Sequence, residues 1–177
     1  MALPPITDAD HARGPSAEDA AVTLVLYGDF ECPYSQSVQA IVNEVRDAHP
    51  DRVRFVFRHF PIRYHPYALG AAVASEAVAA QGLFWPFHDR LYEHQLALRP
   101  PQLVAHAEAV GAEGAAVQAA LADETRQTAV LAQKRGGVQA GVRSTLNLWI
   151  DGTLFEEDDL ETAFVTHVIQ PLQAGGA

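Results

Sequence analysis

A strand, an amphipathic helix and a second strand follow one another within residues 22–60, and this pattern constrains the fold most. Residues 22–27, Val-Thr-Leu-Val-Leu-Tyr, are β-branched and nearly all apolar, which is typical of a strand buried on both faces of a sheet. Residues 52–60 alternate between two faces and predict a second strand. Because strands joined by one helical crossover usually run in parallel, the pattern predicts a βαβ unit and an α/β fold.

The helix between these strands is predicted from its ends and from its apolar face. Proline is favoured in a first helical turn, so we expect the helix to begin at Cys32-Pro33. The dipeptide His49-Pro50 predicts its end, since the residue before a proline avoids the helical conformation. Between these ends, apolar residues recur at helical spacing at Val38, Ile41, Val42 and Val45.

A helical middle and a β-hairpin follow the second strand. Residues 66–136 are rich in Ala, Gln, Glu and Leu, and their Pro and Gly residues divide them into three or four predicted helices. Residues 147–150 and 153–155 predict two short strands. The Asp151-Gly152 pair between them is a strong hairpin turn signal.

The two ends of the chain differ in pattern. Residues 1–20 have no periodicity and predict an extended lead-in with a turn at Gly14-Pro15. Residues 157–170 predict a last amphipathic helix. Its expected apolar face contains Leu160, Phe164, Val165 and Val168.

Length and charge exclude several classes of protein. With 177 residues, 49% of them hydrophobic, the chain has enough apolar material for one domain, or one domain with an insertion. Its 22 acidic residues against 12 Lys and Arg give a formal net charge of −10. This charge repels phosphate backbones and anionic lipids, so we expect no nucleic acid and no membrane among its partners. The N-terminal residues lack a signal-peptide pattern and no apolar run approaches ~20 residues, so we predict a cytoplasmic protein.

The one cysteine, Cys32, excludes an intramolecular disulfide and a metal site built of cysteines alone. It stands at the carboxyl end of a predicted strand and the amino end of a predicted helix, where open α/β sheets bind ligands. Because a helix N-terminus stabilises anions, this placement predicts a nucleophilic thiolate at Cys32. Asp29 and Glu31 oppose the thiolate by like charge.

Residues 27–35, Tyr-Gly-Asp-Phe-Glu-Cys-Pro-Tyr-Ser, resemble the active-site segment of the DsbA-like thioredoxin-fold family, where Cys-Pro-Tyr-Cys follows an aromatic-rich lead. Further landmarks of that family occur in the expected order at residues 58–61, 65–68, 84–91 and 141–145. The resemblance implies a thioredoxin-like domain over residues 1–61 plus 137–177, with an all-helical domain inserted over residues 62–136. It also implies thiol-disulfide oxidoreductase activity.

Two residues depart from the family pattern at positions that carry its activity. Ser35 corresponds to the resolving cysteine, and a hydroxyl does not attack a disulfide, so a dithiol cycle within the chain is not available. Leu146 corresponds to a cis-proline. Because a cis bond before any other residue costs ~2.5–4 kcal/mol, we expect a trans bond between Thr145 and Leu146. By the resemblance, this change places an aliphatic side chain near the sulfur and favours a smaller, more apolar substrate or the loss of substrate binding.

We therefore predict a DsbA-like monothiol oxidoreductase in which Cys32 is the nucleophile and an external thiol such as glutathione resolves the adduct. The predicted partner is a disulfide-containing protein or a small thiol or disulfide, and glutathione is a co-substrate with no other cofactor expected. Ser35 is expected to donate a hydrogen bond to the thiolate. The resemblance implies four substrate-binding positions: Pro33, Tyr34, Thr145 and Leu146.

Two other functions are compatible with the same residues. A thioredoxin fold without redox turnover would be a binding module for a peptide, a small apolar ligand or a partner protein, and the changes at Ser35 and Leu146 favour it. A peroxide scavenger or sensor would oxidise Cys32 to a sulfenic acid, which a second protein would reduce.

The histidines and aromatic residues of the middle region give weaker signals. Four spaced histidines form no tight ligand motif, so we expect no metal site among His59, His65, His88 and His94. Four residues near Pro86 recur at helical spacing and predict core packing rather than a ligand site: Phe84, Trp85, Phe87 and Leu91.

Overall fold

The computed structural model describes residues 2–145, 147–155 and 160–174. Within these ranges the chain forms five strands: β1 (His11–Arg13), β2 (Val22–Gly28), β3 (Val53–His59), β4 (Leu148–Ile150) and β5 (Thr153–Phe155). The helices are α1 (Pro33–Ala48), α2 (Ala68–Ala79), α3 (Phe84–Glu93), α4 (Pro100–Ala109), α5 (Gly114–Leu121), α6 (Glu124–Ala140), α7 (Leu160–Phe164) and α8 (Gln170–Ala174). A π-helical segment, Val165–Ile169, joins the last two. The predicted α/β class is confirmed.

The strands form one mixed sheet in the order β1-β3-β2-β4-β5. The strands β2 and β3 are neighbours in this order. Where the two strands begin, the Val22 amide donates a hydrogen bond to the Arg52 carbonyl, and where they end, the Phe60 amide donates to the Gly28 carbonyl. The residue numbers rise together along both strands, so β2 and β3 run in parallel, as the crossover pattern predicted. The pairs β1 with β3, β2 with β4 and β4 with β5 are antiparallel.

The β-hairpin follows the predicted turn. Asp151 and Gly152 have φ angles of 46° and 80°, the left-handed conformation that a type I′ turn requires at both central residues. The Asp151 carboxylate also accepts a hydrogen bond from the Thr23 amide at 2.8 Å. This turn therefore both joins β4 to β5 and fixes the start of β2.

The N-terminal region contains a strand where an extended lead-in was expected. His11 pairs with Phe57 and Arg13 with Phe55. A three-residue strand is too short to show alternation, and its pairing with β3 determines it. Gly14, which follows it, has a φ of 96°, and a Cβ there would lie 2.2 Å from the Val53 carbonyl oxygen, so the predicted turn requires glycine.

Arg58 holds the residues before β1 in place. Its guanidinium donates to both carboxylate oxygens of Asp10, at 2.6 and 2.9 Å, and to the Tyr27 hydroxyl at 2.9 Å. It also donates to the carbonyls of Pro4 and Pro5. All three guanidinium nitrogens are therefore hydrogen-bonded in a buried position.

Two predicted apolar positions are exposed. In α1, Val38, Val42 and Val45 are buried, but Ile41 is 46% exposed. In the last helical segment, Phe164 and Val168 are buried, but Val165 is 48% exposed. Val165 begins the π-helical segment, whose wider turn changes the register that a 3.6-residue period assumes. Residue 157, where this helix was predicted to begin, lies outside the described residues.

The helical middle consists of five helices, α2 to α6, rather than three or four. Pro86 does not separate two helices; it lies in the first turn of α3, where proline is tolerated. The break between α5 and α6 falls at Ala122-Asp123, without glycine or proline, and the Asp123 carboxylate caps α6 by accepting from the Thr125 amide and hydroxyl.

The chain divides into two compact units. One consists of the described residues of Met1–Tyr27, Ser37–Arg58 and Gly136–Ala177 and contains nearly all of the sheet. The other consists of Gly28–Gln36 and His59–Arg135. Within it α2 packs against α3, α4 and α5, and its Ala- and Val-rich sequence is buried on most sides. No helix among the described residues has the length and apolar character needed to cross a membrane.

Candidate active site around Cys32

Cys32 lies where the sequence predicted it, between the end of β2 and the start of α1. Its carbonyl accepts a hydrogen bond from the Gln36 amide at 3.2 Å, which makes Cys32 the residue that opens the helix. Its own amide donates to the Asp29 carbonyl at 3.2 Å and closes a tight turn. The residue is 3% exposed. The thiol therefore sits at the helix N-terminus with little access from solvent.

The residues around the C-terminal end of α3 fix the backbone of this turn. The Gln95 side-chain amide donates to the Phe30 carbonyl at 2.8 Å and to the Cys32 carbonyl at 3.0 Å. From the opposite side, the Gln36 side-chain amide donates a hydrogen bond to the Tyr92 carbonyl. These contacts join segments 56 to 65 residues apart in sequence. Sequence reasoning missed Gln95, because nothing near it in the chain indicates its partners.

Asp29 is the centre of the polar contacts at the turn, and its carboxylate is buried. Oδ1 accepts from the Glu31 amide at 2.8 Å. Oδ2 accepts from the Ile62 amide at 2.7 Å and lies 2.8 Å from Nδ1 of His65. The carboxylate thus joins the turn to the segment that follows β3. The sequence indicated Asp29 only as a like charge near the thiol.

Glu31 makes a similar connection from the other side of the turn. Its Oε2 accepts a hydrogen bond from the Tyr67 amide at 2.7 Å, immediately before α2. A carboxylate at this position complements the N-terminal dipole of α2. Both acidic residues that precede Cys32 are therefore engaged by backbone amides.

Ser35 is fully buried, and its Oγ accepts a hydrogen bond from the Asp29 amide at 3.1 Å. Tyr92 completes this buried group, with its hydroxyl 3.5 Å from the Asp29 carbonyl. Burial and the charges of Asp29 and Cys32 raise the pKa of Tyr92 well above its ordinary value of about 10, although a hydrogen bond with Ser35 lowers it. The phenol therefore remains a hydrogen-bond donor at neutral pH. The donation from Ser35 to the thiolate stays a prediction.

The four predicted substrate-binding residues lie in different surroundings. Pro33 is the first residue of α1 and is exposed, and Tyr34 is 56% exposed beside it. Thr145 is buried and belongs to the other compact unit. Leu146 lies outside the described residues, so the expected trans bond and the opposing loop stay predictions.

The four spaced histidines each have a different partner. His59 lies 2.9 Å from a Glu76 carboxylate oxygen and His65 lies 2.8 Å from Asp29. His88 lies 2.9 Å from Asp89, and His94 lies 2.9 Å from the Arg90 carbonyl. Of these four histidines, His65 lies at the active-site turn, beside the Asp29 carboxylate.

An aromatic cluster lies behind the turn. The Phe30 ring, two residues before the thiol, lies between the rings of His59 and His88, at centroid distances of 5.9 and 5.5 Å, and 5.1 Å from Tyr92. Phe84, Phe87 and Leu91 are buried, which agrees with their predicted place in the core. Trp85, which was also predicted to lie in the core, is only partly buried and packs edge-on against Phe84 and His88.

Comparison with known proteins agrees with this fold. A thioredoxin family model matches residues 7–168. The structure of a thioredoxin-like oxidoreductase from Silicibacter pomeroyi DSS-3 superposes with a TM-score of 0.74 at 24% identity, covering 96% of this chain and 95% of that one. Oxidised BdbD from Bacillus subtilis gives a TM-score of 0.73 at 22% identity, covering 92% of each chain. The thioredoxin-like fold with several added helices is therefore confirmed.

One curated relative is a much longer protein. The Na(+)/H(+) antiporter NhaA 1 of Salinispora arenicola (strain CNS-205) is 37% identical over 153 residues, which are 86% of this chain and 23% of the antiporter. The chain thus spans about a quarter of the length of that relative.

Proposed function

Because the chain belongs to the thioredoxin family and has a DsbA-like fold, we propose that it catalyses thiol-disulfide exchange by a monothiol mechanism at Cys32. One observation carries this proposal. The sole thiol of the chain opens α1, and its backbone is held there by the Gln36 amide, the Asp29 carbonyl and the Gln95 side chain. A helix N-terminus stabilises the thiolate, which is the attacking species in disulfide exchange.

The exchange takes place in two balanced steps. The Cys32 thiolate attacks one sulfur of a substrate disulfide, forms a mixed disulfide with it and releases the other sulfur as a thiolate. An external thiolate, such as that of glutathione, then attacks the substrate sulfur of the mixed disulfide. The second step releases a new disulfide and regenerates the Cys32 thiolate. After these two steps, one half of the substrate has left as a thiolate and the other half is bound in a mixed disulfide with the external thiol. A second external thiolate attacks that mixed disulfide, releases the second half of the substrate as a thiolate and forms the oxidised external disulfide, which completes the reduction.

Ser35 makes the external thiol necessary. It occupies the position three residues after the nucleophile, is buried, and already accepts a hydrogen bond from the Asp29 amide. Its hydroxyl is far less acidic than a thiol and leaves the mixed disulfide intact. In the proposed site Ser35 donates a hydrogen bond to the thiolate. Pro33 and Tyr34 are proposed to bind the substrate, and Thr145 and Leu146 are the further substrate-binding positions that the family resemblance implies.

The low exposure of Cys32 favours a narrow disulfide as substrate. At 3% exposure, the sulfur is reached by an extended or small disulfide more readily than by one on a rigid convex surface. The proposed partners are a disulfide-containing protein with such a segment and a small disulfide such as oxidised glutathione. A reducing compartment like the cytoplasm supplies the resolving thiol.

A coupled turnover assay tests the proposal. The chain is mixed with a small disulfide substrate, reduced glutathione, glutathione reductase and NADPH, and NADPH consumption is followed. We expect turnover that the Cys32→Ser variant abolishes and that the Ser37→Ala variant, at an exposed position on the same helix, retains.

Two results would overturn the proposal. Turnover at the background rate in the unmodified chain, with a bound peptide or apolar ligand, would identify a binding module instead. Formation of a sulfenic acid with peroxide, without reaction with disulfides, would identify a peroxide scavenger or sensor.

A further inference from the structure

We infer that Asp29 and His65 form a positioning pair that makes the reactivity of the Cys32 thiolate depend on the protonation of His65. The inference deepens the proposed function and rests on it, since it concerns the same thiol. Asp29 acts on Cys32 through the turn they share, and His65 acts through Asp29.

The first support is the way the carboxylate is held. Its two oxygens accept hydrogen bonds from two backbone amides, those of Glu31 and Ile62, and the third partner is the ring of His65. His65 is the one of its three partners that gains or loses a charge, and its side chain is 18% exposed, so it exchanges protons with solvent.

The second support is the covalent and hydrogen-bonded link to the thiol. The Asp29 carbonyl accepts from the Cys32 amide, and the Asp29 amide donates to Ser35. Asp29 therefore cannot move without moving the turn that holds Cys32. The carboxylate and the thiolate are also like charges within one four-residue turn, so each disfavours the other.

Other titratable groups lie near the pair. The Lys134 ammonium donates to the Pro61 carbonyl at 2.6 Å, one residue before Ile62, and does not contact the Asp29 carboxylate among its described hydrogen bonds. Glu31 adds a further negative charge, and its Oε2 accepts a hydrogen bond from the Tyr67 amide. Tyr92 is a neutral donor at neutral pH. The ring of Tyr64 packs edge-on against His65 at 4.9 Å and carries no charge. Among the described contacts of the Asp29 carboxylate, His65 is the side chain that carries a positive charge when it is protonated.

The expected behaviour follows from these charges. With His65 protonated, the pair is neutral overall and the thiolate of Cys32 is favoured. With His65 neutral, the uncompensated Asp29 carboxylate disfavours the Cys32 thiolate. At an effective dielectric of about 20, a unit charge about 12 Å away changes such an ionisation roughly tenfold, and a closer charge changes it more.

The test measures the alkylation rate of Cys32 by iodoacetamide as a function of pH, in the full chain. In His65→Gln we expect a rate at least tenfold lower than in the unmodified chain at about pH 5.5, and a smaller difference between the two at about pH 9. In His65→Lys, which keeps its charge, we expect a rate above that of the unmodified chain at about pH 8.5. His94→Gln, at an exposed histidine of the same unit, is the matched control and should leave the profile unchanged.

Thermal unfolding of each variant separates a change in reactivity from a loss of structure. Superimposable pH profiles for His65→Gln, His65→Lys and the unmodified chain would overturn the inference and leave the proposed function standing. Failure of Cys32 to react in the folded unmodified chain at any pH would instead overturn the proposed function. The two failures are therefore distinguishable.

Discussion

Ser35 determines which kind of exchange this site performs. A thiol at this position would resolve a mixed disulfide within the chain, whereas the buried hydroxyl leaves that step to an external thiol. The hydroxyl also has a structural partner, the Asp29 amide, so it fits its surroundings as a serine. The residue therefore separates a monothiol from a dithiol mechanism.

Replacing Ser35 by cysteine should convert the site to a dithiol. In Ser35→Cys, mild oxidation should join the new thiol to Cys32, because the two residues lie one helical turn apart on α1. Intact mass and thiol alkylation would show the loss of two hydrogens and of both reactive thiols. Ser37→Cys, at an exposed position of the same helix, is the control and should form no such bond. Two alkylatable thiols in oxidised Ser35→Cys would contradict the predicted geometry.

Gln95 should contribute to stability by holding the active-site turn. Its replacement by alanine removes two hydrogen bonds to the carbonyls of Phe30 and Cys32, which costs about 1–3 kcal/mol. Because the turn is then less restrained, the alkylation of Cys32 should become faster. Urea unfolding and alkylation rates measure the two effects. The exposed Gln118→Ala variant is the control, and equal stability of the two variants would show that the turn does not depend on Gln95.

At the scale of elements, His106 joins α4 to α3. The Arg90 guanidinium donates to Nδ1 of His106 at 3.1 Å, and Nε2 lies 3.0 Å from the Ala97 carbonyl. The imidazole must be neutral to accept from arginine at one nitrogen while it donates from the other. Burial, with the charges of Arg90 and His94, lowers the pKa of His106 from its usual value of 6.5, although the hydrogen bond to Ala97 raises it.

Stability should therefore fall as His106 becomes protonated. Because its pKa is lower in the folded chain, the contribution of the neutral ring is present above about pH 6.5 and is lost as pH falls through the lowered pKa. In His106→Gln, whose amide replaces both hydrogen bonds without titrating, the free energy of unfolding should vary less between about pH 7 and 5. A steeper loss of stability in this variant would contradict the assignment.

Elements with a strong local signal could be predicted from the sequence. The apolar run of β2, the alternation of β3 and the Asp151-Gly152 turn depend on residues next to one another in the chain. Two features could not be predicted from the sequence: the strand β1 and the break between α5 and α6. The strand is defined by its pairing with β3, and the break lacks glycine and proline.

The residues of the candidate site also differ in whether the sequence could predict them. Cys32 was predictable because a thiol between a strand and a helix has a local meaning. His65, Tyr92 and Gln95 reach the turn across 36 to 65 residues of sequence, and their roles depend on tertiary contacts. An acidic residue directly after a buried strand, here Asp29, was the local signal that could have indicated a buried polar centre.

For the whole molecule, the ion pair of Asp10 and Arg58 should control acid stability. Burial raises the pKa of Asp10. The hydrogen bonds with Arg58 and Thr7 and the charge of Arg58 lower it by a larger amount, so the pKa lies below its ordinary value of 3.8. The contribution of this pair is then present above about pH 4 and is lost as pH falls through the lowered pKa of the folded chain.

Removing the arginine should leave a partly buried carboxylate without its cation. In Arg58→Met we expect a loss of about 3–5 kcal/mol of unfolding free energy at neutral pH, and a smaller loss as the pH falls and Asp10 becomes protonated. Arg46→Met, which removes an exposed pair with Asp47, should change stability far less. Equal effects of the two variants on urea unfolding would contradict the proposed role of Arg58.

The central claim is that Cys32 exchanges with a disulfide and that an external thiol reverses the reaction. The measurement that tests it most directly is the intact mass of the 177-residue chain after incubation with oxidised glutathione, before and after addition of reduced glutathione. We predict the addition of one glutathionyl group, its absence in Cys32→Ser, and its removal by the reduced thiol. A folded chain that keeps its original mass at every disulfide concentration, or an adduct that reduced glutathione does not remove, would contradict monothiol exchange at this site.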